Sequence, residues 1–100
     1  MKLKKELVDE VIRLTKKYYK TGDADILPAM IEAEKAVEQE CNVNCRVSYL
    51  IGDLARFAQL SGKGTYEDIY KALAVFGIIV EDKEKENDWY NKRNVARRIS

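Results

Sequence analysis

Apolar residues return every three or four positions through four stretches of this chain, and each stretch ends at a residue suited to stopping a helix. Leu3, Leu7, Val8, Val11, Ile12, Leu14, Tyr18 and Tyr19 form the first stripe and predict a helix over about residues 3–20, with Gly22 placed to end it. A second helix is predicted over about 26–41. Asp23 or Asp25 caps it, and Pro28 is tolerated in its first turn, where backbone N–H groups lack intrahelical partners. Its inward face is Ile26 or Leu27, Met30, Ala33, Val37 and Cys41.

Asn42-Val43-Asn44 predicts a break, because short amide side chains compete for backbone hydrogen bonds. Asn44 then caps a third helix over about 45–60 that buries Val47, Leu50, Ile51, Leu54, Phe57 and Ala58, with Leu60 at its end. Ser61-Gly62-Lys63-Gly64 is the turn that follows. Thr65 with Asp68 has the spacing of a capping box for a fourth helix over about 66–76, whose stripe is Ile69, Leu73 and Phe76. Gly77 closes it in the left-handed conformation. Ile78-Ile79-Val80 reads as a short strand, a charged loop follows, and Trp89-Tyr90 pairs back to complete a hairpin over about 78–90. A basic tail, 91–100, ends the chain. The expected fold is mainly α: one four-helix bundle-like domain with a short C-terminal β-hairpin.

One hundred residues, 46% hydrophobic and 35% charged, suit one small globular core. No run approaches the roughly 20 apolar residues of a membrane span, so no membrane partner is expected. Two cysteines and no glycosylation sequon suggest a reducing, cytoplasmic setting. The net charge of +1 conceals segregation. Residues 1–20 carry seven basic and three acidic side chains, residues 21–45 one basic and six acidic, and residues 91–100 four basic and none acidic. If the two ends of the chain meet on one side of the fold they form a positive patch opposite an acidic face; otherwise these are two ordinary solvated faces, the simpler reading.

Chemistry is sparse. With no histidine, the usual general base and the commonest zinc ligand are missing, so no catalytic residue, cofactor or metal is assigned and the chain is read as a non-enzyme. Cys41 and Cys45 are spaced to share a helical turn, yet one thiol pair cannot complete a tetrahedral site; two small side chains flanking a helix break is the simpler reading. SGKGT lacks the full spacing of a phosphate loop; a plain interhelical turn is the simpler reading, and the start of the fourth helix, beside Lys63, is the alternative place for one phosphate. TGDAD lacks the further ligands of a calcium loop and reads as a cap.

Ile69, Leu73, Gly77-Ile78, Glu81-Asp82 and Trp89 follow the spacing IxxxLxxxGIxxEDxxxxxxW. This segment, about a quarter of the chain, resembles the C-terminal anticodon-binding region of cysteinyl-tRNA synthetases. The resemblance implies tRNA or another structured RNA as ligand. It departs from the family at Tyr66-Glu67-Asp68, and at Glu86-Asn87 where a turn glycine is usual, and it extends to no catalytic domain or zinc site.

Two functions follow. In one, Lys63, Lys92, Arg93, Arg97 and Arg98 contact RNA phosphates while Trp89 or Tyr90 offers a stacking face. In the other, which stands level with it, the chain is a protein-interaction module, such as a small regulator or a phage or plasmid accessory protein. It would use its acidic second helix or the aromatics Tyr18, Tyr19 and Tyr66. Either function is compatible with a homodimer.

Overall fold

A computed structural model gives the fold, and residues 1–62 and 64–81 are described. Strand β1 (Lys2–Lys4) leads directly into α1 (Lys5–Thr21). A single 3-10 turn (Ala24–Ile26) precedes α2 (Leu27–Glu40), and α3 (Cys45–Ser61), α4 (Tyr66–Val75) and strand β2 (Ile79–Glu81) follow. The fold is mainly α, with four α-helices among the described residues.

The stops and starts are those the side chains dictate. Gly22 and Gly62 take the left-handed conformation at the ends of α1 and α3. Asn42, with φ 53°, makes the break after α2, and the Asn44 carboxamide accepts from the N–H groups of Arg46 and Val47 to cap α3. Asp23 accepts from Asp25 N–H and so caps the 3-10 turn. Thr65 and Asp68 form the reciprocal capping box of α4. At the other end of α4, Gly77 has φ 80°; its N–H reaches Ala74 O and that of Ile78 reaches Leu73 O. These two bonds are the Schellman closure, with buried Ile78 packed beneath Leu73.

Helix α1 is the spine. Its residues Val8, Val11 and Ile12 are buried together with Ala33 and Val37 of α2, Ile51 and Ala55 of α3, and Ile69 and Leu73 of α4. Lys4 Nζ reaches Glu40 at 3.3 Å near the end of α2, and Asp9 and Lys16 of α1 meet Tyr70 and Gly64. The sequence positions run in opposite senses, so α2 and α4 both lie antiparallel to α1. Likewise Ser48 Oγ lies 2.9 Å from Glu38, and Gly52 lies against Glu34, so α3 runs antiparallel to α2.

Several expectations are corrected. The first helix begins at Lys5, because Lys2-Leu3-Lys4 is a strand that points Leu3 into the core and pairs in parallel with β2, Leu3 opposite Val80. One apolar residue between two lysines fits a strand as well as a helix turn. The partner of Ile79–Glu81 among the described residues is therefore β1, while the hairpin's second arm at Trp89-Tyr90 lies outside them. Phe76 is 64% exposed, since the Schellman turn gives the place under Leu73 to Ile78. Phe57 is 61% exposed: it sits two residues, about 200° round the helix, from buried Ala55. Leu60, Tyr19 and Leu27 are exposed as well, and Ile26 is the buried one of its pair.

Candidate functional site

Every residue proposed to contact RNA (Lys63, Trp89, Tyr90, Lys92, Arg93, Arg97 and Arg98) lies outside the described residues. The start of α4, considered for a phosphate, holds its own carboxylate instead. Asp68 Oδ2 accepts from Thr65 N–H and Oγ1, each at 3.1 Å, and Thr65 Oγ1 accepts from Asp68 N–H at 3.2 Å. Those bonds hold the Asp68 pKa below the usual carboxylate value, so an anion is already seated there. Lys16 completes this corner: its Nζ donates to Gly64 O at 2.7 Å and stands 5.4 Å from the centre of the Tyr66 ring.

Cys41 ends α2 and Cys45 opens α3; both thiols are free, the first half-buried, the second exposed. Cys41 Sγ accepts from Lys4 N–H at 3.4 Å, tying β1 to the end of α2. Among the described residues no group of three or more His, Cys, Asp or Glu side chains is placed to hold a metal ion. No helix among them is long and apolar enough to cross a membrane. Of the tyrosines proposed as a contact surface, Tyr18 and Tyr19 meet edge to face at 5.1 Å, and Tyr66 is half-buried beneath Lys16.

Acidic groups gather on the second helix, where Glu40 pairs with Lys4 while Glu34 and Glu38 have no cationic partner among the described residues. Glutamates occupy positions 32, 34, 38 and 40 of α2, against one lysine at 35. Glu34 and Glu38, one turn apart, lie along the seam with α3. Ser48 Oγ is buried there at 2.9 Å from both Glu38 Oε1 and Cys45 O, and its one proton serves whichever it faces. Gly52 leaves room for Glu34, whose Oε1 would stand 3.7 Å from a Cβ at that position. Burial raises the Glu34 pKa, and the negative charges of Glu38 and, across the seam on α3, Asp53 push it the same way.

Among the described residues no cation lies within ion-pairing distance of Glu34, Glu38 or Asp53. On α1, by contrast, Asp9 pairs with Lys5 and Glu10 with Arg13. The nearest arginine in sequence to Asp53, Arg56, lies over the Phe57 ring at 5.2 Å.

Apolar side chains share this face. Ile31 and Leu27 continue the Glu34–Glu38 row one and two turns back, and Ile31 is 50% exposed. On α3, Tyr49, 57% exposed, precedes Asp53 by one turn, and exposed Leu60 lies two turns beyond it. Charge along the sequence marks the acidic helix, but not Ile31, Tyr49 or Asp53. The available signal is that Ile31 falls outside the inward set Met30, Ala33 and Val37; that Asp53 and Tyr49 flank the same seam follows only from the pairing of α2 with α3.

No family model matches the chain, and neither the curated proteins nor the solved structures contain a match.

Proposed function

We propose that the chain is a non-catalytic protein-binding module whose contact surface is the outer face of the α2–α3 pair. The observation that carries this is the grouping of Glu34, Glu38 and Asp53, without cationic partners among the described residues, next to exposed Ile31 and Tyr49. Apolar anchors ringed by charge are the ordinary makings of a protein interface, and tyrosine is prominent among residues that dominate binding energy. Two helices packed antiparallel hold these groups on a rigid base. A photo-crosslinking amino acid introduced at position 31, in the cells that make this protein, should give a discrete protein adduct absent when it is introduced at position 71 on α4. Equal adducts from both positions, or none from position 31, would remove the support for this face.

RNA binding is the second proposal, supported by the run of Lys92, Arg93, Arg97 and Arg98 behind Trp89-Tyr90 and by the synthetase-like spacing. A tRNA pool titrated in a filter assay should bind with an affinity that falls steeply with salt through counterion release. No binding at low salt would end it.

A further inference from the structure

Building on the protein-binding reading of the α2–α3 face, we infer that its partner is a cationic amphipathic helix. Lysine or arginine side chains on that helix meet Glu34, Glu38 and Asp53, and its apolar side chains rest on Ile31, Leu27 and Tyr49. Charge complementarity selects this occupant. Three carboxylates stand together with no cation among the described residues within pairing distance, so an anionic or neutral partner would leave them repelling one another under cover.

Length agrees with a helix. From Leu27 to Glu38 the row runs about 16 Å at 1.5 Å per residue, the span of a three-turn segment. Such a helix lies in the shallow seam between two helices and reads it through positions three and four apart. Binding would also relieve the like-charge crowding on Glu34. The groups that act on Glu34 are Glu38 of its own helix and Asp53 of α3, both acidic, so a bound cation favours its ionised form. Affinity therefore declines as pH falls through the raised Glu34 value.

The test is fluorescence anisotropy on the full chain. Three fifteen-residue helical peptides share one apolar stripe and carry lysine, glutamine or glutamate at the flanking positions. The lysine peptide should bind about tenfold or more tighter than the glutamine peptide, with the glutamate peptide weakest. The double variant Glu34→Gln, Asp53→Asn should abolish that order, whereas Glu67→Gln, which removes a charge from α4, should leave it in place. Ile31→Asp should weaken all three peptides.

Equal binding of the three peptides, or an order that survives the double variant, overturns the inference. So does a concentration-dependent dimer in sedimentation that Ile31→Asp abolishes, because a second copy would then cover the face. If no peptide binds while position 31 still crosslinks a protein, the cationic-helix inference fails and the broader reading stands.

Discussion

The phenol of Tyr70 on α4 donates its proton to Asp9 Oδ1 on α1, and the other oxygen of that carboxylate accepts Lys5 Nζ at 2.8 Å. One half-buried carboxylate thus ties the fourth helix to the first while retaining a cation. Tyr70→Phe removes the tie and leaves Asp9 its lysine. A hydrogen bond to a charged group at a partly buried site should contribute about 1–2 kcal/mol, read as a lower urea midpoint with unchanged slope. Burial first, and then this bond, raise the Tyr70 pKa above the ordinary 10.0. The contribution is therefore complete below the unfolded value and is lost as pH rises beyond it, because the unfolded phenol ionises first. The stability gap between Tyr70→Phe and the parent should shrink above pH 10.

Gly64 is where the α3–α4 turn presses on α3. A Cβ there would stand 2.1 Å from Ala58 Cβ and 2.7 Å from Ala58 Cα, and the helix backbone cannot retreat from it. Gly64→Ala should cost about 1–3 kcal/mol in chemical denaturation. Adding Ala58→Gly should recover part of that loss, less the cost of about 1 kcal/mol of a glycine inside a helix.

Thr15 is buried in α1 and its hydroxyl has no hydrogen-bond partner among the described residues. Thr15→Val keeps the branched shape and deletes the orphaned polar atom. It should stabilise the fold by about 1 kcal/mol, raising the melting temperature by about 4–8 °C. A lower melting temperature would show that the hydroxyl is satisfied in solution.

Glu34 follows the opposite rule to Asp68. With its pKa raised by burial and by Glu38 and Asp53, its contribution to stability is complete below the ordinary 4.5 and is lost as pH rises through the folded value. Glu34→Gln should therefore stabilise the chain at pH 7, by about 0.3 kcal/mol for the Glu38 pair alone, and the advantage should fade in acid. Thermal melts of both proteins at pH 7 and pH 4 test this. A gain in stability paired with a loss of cationic-peptide binding would mark the acidic face as kept for contact and not for folding.

Helix ends were legible because each has a local chemical cause. Asn44, Thr65 with Asp68, Gly22, Gly62 and Gly77 act on backbone groups within a few residues, and all occupy the ends the pattern assigns them. Pairings between distant segments were not legible. Nothing local to Lys2-Leu3-Lys4 reveals that its partner is Ile79–Glu81. Period alone puts the large side chains Phe57 and Phe76 inside, whereas small Ala55 and Ile78, which follows the turn, are the buried residues. The acidic seam was half legible: α2 announces its glutamates, but Asp53 joins them only through antiparallel packing.

The parallel pairing of β1 with β2 joins segments separated by all four helices, a span of 77 residues from Leu3 to Val80. Closing so long a loop carries an entropy cost that three-residue strands offset only once the helices hold their ends together. The clasp should accordingly form last in folding and open first in the native state. Amide exchange at Leu3 and Ile79 would then outpace that at Val11 and Ile51, so the two strands can come loose while the helices stay assembled.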